Sequence, residues 1–381
     1  MDNTKQKVEI SDIFYKYSSS YPALKTLHPV QHKAFQDIIK CRSDELGGHI
    51  QMCDHCGHTR HAYNSCRNRH CPKCQYIKQV QWVDRLKSKI LPVKHFHLVF
   101  TIPSCLHTLF YINQAVAYDL LFKASAKALK ICAANPKFLG AQTGAVAVLH
   151  TWGQTLNYHP HIHMIVPAGG LSEDDMEWIE SSKQFFLPVK ALSDLFRGIL
   201  CRLLEGALAQ KKMNLPEDYD HFLEIKNLLY KKRWNVYAKK PFAGPDRVID
   251  YLGKYTHRVA ISNHRVIAIE NDKITIRCKD PKTGKYTKAI TLHAHEFIRR
   301  FLQHILPKGF YKIRYLGIMA LCCMKDKNAQ CLELIDKECY LPLLEGLNAI
   351  DTFRQITGKD PLLCLACGKG KMKSIPLKLC N

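Results

Sequence analysis

Between residues 49 and 75 the chain is dense in Cys, His, Arg and Asn and holds few large aliphatic side chains. A segment of this kind cannot bury enough apolar surface to order itself, and a bound metal is the ordinary way to supply the difference. The spacing fits that chemistry. Cys53-x2-Cys56 is followed by nine residues, Cys66, four residues and Cys71-x2-Cys74. A CxxC turn aims two thiolates at one point, so two such pairs predict a tetrahedral, closed, structural zinc site at Cys53, Cys56, Cys71 and Cys74. Such an ion contributes about 10–16 kcal/mol of folding free energy. Cys66 and His70 are surplus to four ligands, as are His49, His58 and His61. They serve a second metal, replace one of the four, or are simply buried. Arg67 and Arg69 in the intervening loop, with Lys73, form the expected phosphate-facing surface.

Charge points to the partner. With 56 Lys and Arg against 33 Asp and Glu, the 381-residue chain carries a formal net charge of +23. That balance favours a polyanion, nucleic acid ahead of an anionic membrane surface. The 46% hydrophobic content is that of a globular chain. No window approaches the ~18 apolar residues of a membrane span. The first residues, MDNTKQKVEISD, carry no basic start followed by an apolar run, so no secretory leader is expected. A cytoplasmic, nucleoid-associated protein is expected. Disulfides are then improbable, and the isolated Cys105, Cys132, Cys201 and Cys278 read as small buried hydrophobes.

Hydrophobic periodicity divides the rest into an α+β pattern. Residues 1–48 and 75–90 look helical. Residues 94–102 (KHFHLVFTI) alternate as a strand, 112–133 form an Ala-rich helix, and 144–151 and 159–167 form two strands joined closely enough to pair antiparallel. A helix follows over 191–213, and 214–233 is polar and irregular. A further helix is expected over 244–257, then a hairpin over 264–277 turning at Glu270-Asn271-Asp272. A strand over 286–292 and a helix over 294–304 follow, and the last 60 residues are weakly patterned. The implied division is 1–90 (helical and zinc-binding), 91–305 (catalytic) and 306–381 (basic, ending in a tail). Cys364-x2-Cys367 in that tail is half of a zinc ribbon, to be completed by Cys380, Cys322 or Cys323 or to bind nothing.

Two further constellations carry chemistry. In His161-Ile162-His163, alternation puts both imidazoles on one strand face and Ile162 on the other. Two such rings can chelate one metal, with Gln154 (or His159) as a third ligand. An N,N,O site suits Mg²⁺ or Mn²⁺, and zinc also fits. An HxH pair on its own is also what an ordinary strand with two histidines shows. The second constellation is DRVIDYLGKYTHRV, where Tyr251 and Tyr255 share a helix face at i, i+4 and each precedes a cation by three residues, Lys254 and Arg258. A phenol with a pKa near ~10 is ionised in only about one molecule in a thousand at neutral pH. Neighbouring cations favour the phenolate, whereas two such rings alone would also suit a core.

Taken together these segments resemble the HUH single-strand endonucleases, and more narrowly the two-tyrosine rolling-circle transposases of the insertion-sequence-91 group. The resemblance rests on CDHCGHTRHAYNSCRNRHCPKCQ (53–75), HLVFTIP (97–103), VLHTWGQTLNYHPHIHMIVPAGGL (148–171) and WNVYAKKPFAGPDRVIDYLGKYTHRVAISNHRV (234–266), with RYLGIMA (314–320) fitting more loosely. It implies a small antiparallel sheet flanked by helices, with the His pair on a central strand. It implies His161 and His163 as metal ligands, and nicking of one DNA strand by Tyr251 or Tyr255 through a 5′-phosphotyrosine that releases a 3′-hydroxyl. No Gly-x4-Gly-Lys-Ser/Thr sequence is present, so strand separation would fall to host replication or helicase factors. A rolling-circle replication initiator or relaxase would share this chemistry. A non-catalytic zinc-dependent DNA-binding protein would share the charge and the CxxC pairs alone.

Overall fold

The computed structural model describes residues 8–181, 187–232, 234–242, 253, 260–280 and 283–375. In chain order the first elements are helices α1 (Ile10–Tyr17) and α2 (Pro29–Lys40), strands β1 (Gly48–Cys53) and β2 (Thr59–Tyr63), and helix α3 (Tyr76–Lys87). Strand β3 (His95–Thr101), helices α4 (His107–Ile112) and α5 (Gln114–Ala134), and strands β4 (Gly144–Trp152), β5 (Tyr158–Pro167), β6 (Gly169–Leu171) and β7 (Trp178–Glu180) follow. Then come α6 (Val189–Ala209), α7 (Phe222–Lys231), β8 (Val236–Phe242), β9 (Val266–Glu270), β10 (Lys273–Cys278) and β11 (Lys288–His293). The chain closes with α8 (Ala294–Leu302), β12 (Ile313–Gly317), α9 (Met324–Leu334), α10 (Ala349–Thr357) and β13 (Met372–Ile375).

These elements form two compact units, each assembled from separated stretches of chain. One comprises the described residues of Met1–Asp84, His257–Ile305 and Leu343–Asn381, the other those of Arg85–Thr256 and Leu306–Pro342. A linear division at residues 90 and 305 therefore does not follow the folded units: 257–305 returns to the N-terminal unit, and 306–342 completes the central one.

The central unit is built on a five-stranded antiparallel sheet ordered β12-β4-β5-β3-β8. One face is apolar. Ile162, Met164 and Val166 of β5, Phe96, Leu98 and Phe100 of β3, and Ala145, Ala147 and Leu149 of β4 all join one core. Helices α5 and α6 cover that face. The stripe Leu192, Phe196, Leu200, Leu204 on α6 has the four-residue period that keeps one side of a helix inward. Phe196 meets Phe100 edge-on at 5.1 Å and Trp234 at 5.3 Å. The expectation of an irregular 214–233 is corrected by α7, whose Phe222, Ile225 and Leu229 are buried at helical spacing. Strand β12, in the weakly patterned C-terminal region, forms the sheet edge beside β4.

The other unit holds two three-stranded sheets, β11-β10-β9 and β13-β1-β2. The β9–β10 hairpin turns on Asn271 and Asp272, both with positive φ (44° and 59°), as a tight primed turn requires. Helix α1 packs through Phe14, stacked on Phe35 of α2 at 4.8 Å and edge-on to Phe301 of α8 at 5.2 Å. The helix expected over 244–257 lies outside the described residues apart from Gly253. Among the described residues no helix is long and apolar enough to cross a membrane.

Candidate metal centres and nucleic-acid surface

The face of the central sheet opposite the apolar core carries imidazoles. On β5, residues 161, 163 and 165 share this face. Register adds the neighbours: His150 of β4 lies directly opposite His161, while His97 of β3 lies opposite Ile165. The ring nitrogens of His150, His161 and His163 come within 4.8 Å of one another. His161 Nδ1 donates to the His159 carbonyl at 2.6 Å. His163 Nδ1 shares a proton with His97 Nε2 at 2.7 Å, the two rings nearly parallel at 5.0 Å. Each of these two Nδ1 atoms thus has a hydrogen-bond partner outside the trio. This is the usual outer hydrogen bond that orients a metal-bound histidine. His150 stacks on Trp152 at 4.9 Å and lies 4.3 Å from the His163 ring.

Burial sets the charge of this cluster. It pushes His161 down to about 4. It pushes His150 well below the ordinary imidazole range, with His161, Lys312 and His97 adding repulsion. Neutral rings are the form that binds metal. His150 thus offers an imidazole within ligand reach of His161 and His163, while Gln154 sits in the turn between β4 and β5. The signal for His150 was present as strand alternation in VLHTW, but it needed the β4–β5 register to be read. His97 in KHFHLVF needed the β3–β5 register.

Among the described residues the cysteines form two quartets, and they divide the four expected zinc ligands between them. Cys41, Cys66, Cys71 and Cys74 gather in one group, and Cys53, Cys56, Cys364 and Cys367 in another. In the first, Cys41 Sγ is 3.1 Å and Cys66 Sγ 3.6 Å from Cys74 Sγ. Hydrogen bonds from its three neighbours hold Cys74 far below the ordinary thiol range. Cys66 and Cys71 are pushed up, and Cys41 is lowered to about 7, chiefly through Cys66. Four sulfurs gathered in this way are a donor set suited to a divalent ion. Cys41 follows directly on α2, 25 residues before Cys66, outside the dense segment, so spacing did not single it out. The Cys53/Cys56 pair parts from Cys71/Cys74 because β1 carries it to β13, while a hydrogen bond from Arg42 N to Asn64 O (3.0 Å) folds the later loop back to the end of α2.

Cys66 thus joins a quartet. His70, 4% exposed, turns instead to Asn68, with Nδ1 3.1 Å from Oδ1. His49 lies beside Gln51 (3.3 Å) and His61 stacks on Tyr63. Arg67 is exposed and, with Arg42, Arg60, His61 and Tyr63, lines an open surface groove of about 830 Å³. Arg69 is half-buried, and Lys73 pairs with Glu9 at 2.5 Å. Tyr251, Lys254, Tyr255 and Arg258 lie outside the described residues. Of the isolated thiols, Cys132, Cys201 and Cys278 are buried and Cys105 is half-buried.

Comparison with known proteins decides the lineage. Residues 13–102 match the family model described as "Transposase zinc-binding domain", and residues 144–327 match the one described as "Putative transposase". A protein of Sinorhizobium fredii named "Putative transposase y4qJ" is 43% identical over 97% of this chain and 95% of its own length. The chain belongs to the insertion-sequence-91 family of transposases. The "Transposase for insertion sequence element IS801" of Pseudomonas savastanoi pv. phaseolicola is 29% identical over 90% of this chain and 83% of its own length. A transposase acts on DNA, in agreement with the basic charge. The zinc-binding match takes in Cys41, Cys53, Cys56, Cys66, Cys71 and Cys74. The transposase match takes in β4, β5 and the segment of Tyr251 and Tyr255. Cys364 and Cys367 fall outside both.

Proposed function

We propose that this transposase nicks and rejoins single DNA strands by tyrosine attack at a metal-supported phosphate. The observation that carries the reading is the trio His150, His161 and His163 on the face of the central sheet opposite the apolar core, with two of its Nδ1 atoms held by His97 and the His159 carbonyl. Three neutral imidazoles fit a divalent ion, and they favour Mn²⁺ over the oxygen-preferring Mg²⁺. When bound, such an ion draws charge from the non-bridging oxygens of the scissile phosphate. Tyr251 or Tyr255 attacks, Lys254 and Arg258 favouring its phenolate form. A Tyr Oη–P bond forms and the P–O3′ bond breaks. The phenol proton is lost and the 3′-oxygen takes one up. The reverse step on a second 3′-hydroxyl restores a phosphodiester, so no nucleotide cofactor is consumed. Two tyrosines permit a second cut at the element's other end or in the target. Host helicase or replication factors expose the single strand.

Cys41, Cys66, Cys71 and Cys74 hold the structural zinc of the N-terminal domain in this reading. Arg67, with Arg42 and Arg60 in the adjoining groove, faces phosphate, and Tyr63 and His61 offer rings on which unpaired bases stack. The test is cleavage of single-stranded DNA bearing the element's ends with Mn²⁺ or Mg²⁺, followed by peptide mapping. A covalent nucleotide on Tyr251 or Tyr255, lost in the Tyr251→Phe/Tyr255→Phe double variant, is expected. Undiminished nicking by that double variant overturns the assignment.

A further inference from the structure

We propose that Cys53, Cys56, Cys364 and Cys367 hold a second structural zinc, which joins the chain's C-terminal segment to its N-terminal domain. The two thiol pairs are 308 and 314 residues apart in sequence: Cys56 Sγ lies 3.8 Å from Cys364 Sγ, and Cys53 Sγ 3.8 Å from Cys367 Sγ. Four sulfurs at Zn–S bonds of about 2.3 Å form a tetrahedron with edges of about 3.8 Å. These separations have that length, far too long for disulfides.

The backbone around the thiols is built for the same purpose. Each pair is a CxxC-Gly turn whose glycine is left-handed, Gly57 at φ 73° and Gly368 at φ 67°. Each turn closes on itself, Gly57 N donating to Cys53 O (3.1 Å) and Gly368 N to Cys364 O (2.9 Å). Amides aim at the sulfurs: His55 N and Cys56 N at Cys53 Sγ (3.4 and 3.5 Å), and Gly370 N at Cys367 Sγ (3.4 Å). A side chain at position 370 would collide with Cys53 Sγ and with His55 Cβ. Asp54 ties the turns together, its Oδ1 accepting from Lys371 N at 2.8 Å and its own N donating to Lys371 O at 3.1 Å. From there β1 and β13 continue as an antiparallel ladder from Cys53↔Met372 to Ile50↔Ile375.

Apolar packing does not account for this arrangement. The buried cluster at the site consists of Cys53, Cys364 and Met372, with Cys367 against it. So small a core cannot offset the ordering of two chain segments, and a metal can. The β2-β1-β13 sheet with its two facing turns is thus a zinc ribbon whose halves are encoded at opposite ends of the chain. The C-terminal pair is grouped with Cys53 and Cys56 rather than with the expected Cys322 or Cys323, and Cys380 lies outside the described residues.

Cysteine alkylation of the intact, zinc-loaded chain tests this, with modification at each position read by mass spectrometry. Exposed Cys322 and Cys339 serve as internal standards. Cys364 and Cys367 are expected to be protected together with Cys53 and Cys56, and all four to become reactive when a chelator is added. The standards react alike in both cases. Alkylation of Cys364 and Cys367 at the standards' rate before chelation overturns the site. Zinc content supplies the second arm. The Cys364→Ser/Cys367→Ser variant is expected to purify with one zinc per chain fewer than wild type, and the Cys364→His variant, which keeps a ligand, with no loss. Equal zinc in wild type and the double serine variant also overturns the proposal.

Discussion

His150 was hidden in the sequence by a property of strands. Which residues share a face follows from alternation, so His161 and His163 were legible as a pair. Which residue of another strand joins them depends on register, and a slip of one residue would turn His150 to the apolar face. The structure sets His150 opposite His161, with the three rings' nitrogens gathered within 4.8 Å. His150→Ala is therefore expected to weaken Mn²⁺ binding more than Gln154→Ala does, by about tenfold or more, as read by metal titration of each variant. An equal loss in the two variants would return Gln154 to the ligand set. Tyr251 and Tyr255 stay readings of sequence and family, because they lie outside the described residues. His95 offers a separate test of burial. It is fully buried, its Nδ1 donates to the Val93 carbonyl at 2.9 Å, and its Nε2 has no hydrogen-bond partner among the described residues. Desolvation lowers it to about 4. The unfolded chain, with an imidazole near ~6.5, binds the proton that the fold refuses. Its contribution to stability is full above about pH 6.5, declines as pH falls toward about 4, and costs about 1.4 kcal/mol per pH unit in that window. His95→Leu should flatten the pH dependence of urea unfolding by that slope, and an unchanged slope would refute the burial argument.

Elements with a strong period were legible, and those defined by a partner were not. The alternation of β3, β4 and β5 and the stripe of α6 appear directly in the sequence, as does the β9–β10 hairpin with its Asn271-Asp272 turn. Helix α7 was obscured because charged residues surround Phe222, Ile225 and Leu229, which alone are inward. Strands β12 and β13 are too short to carry a pattern of their own. Each exists because an edge, of β4 or of β1, offers it backbone hydrogen bonds. The sheet's apolar face depends on α6, and within it on Phe196, which is fully buried between Phe100 and Trp234. Phe196→Ala should cost about 3–5 kcal/mol, the usual range for a buried aromatic. Chemical denaturation followed through the central unit reads this out. A loss below about 1 kcal/mol would mean that the layer of α5 and α6 contributes little to holding the sheet.

At the scale of the whole molecule, linear reading failed where the chain returns to a unit it has left. The N-terminal unit draws on three stretches, Met1–Asp84, His257–Ile305 and Leu343–Asn381. No local pattern announces such a return: a CxxC pair signals two ligands but not which distant pair completes them, and only the fold groups Cys364 with Cys53. This has a consequence for dissection. A fragment of residues 1–90 retains Cys41, Cys66, Cys71 and Cys74, so it is expected to hold zinc there. It lacks Phe301, which packs edge-on to Phe14, and Asn263, whose Oδ1 accepts from Ile10 N at 3.2 Å. It also lacks β13, which in the full chain pairs β1 from Ile50 to Cys53. Helix α1 and the β1–β2 hairpin lose their partners, and an isolated two-stranded hairpin is marginal in water. Amide exchange in Ile10–Tyr17 and Gly48–Tyr63 should then be far faster in the fragment than in the full chain, while residues 66–74 keep more of their protection through the metal. Equal protection of α1 and the hairpin in fragment and full chain would show that residues 1–90 fold as a closed domain, and that the later stretches merely rest against it.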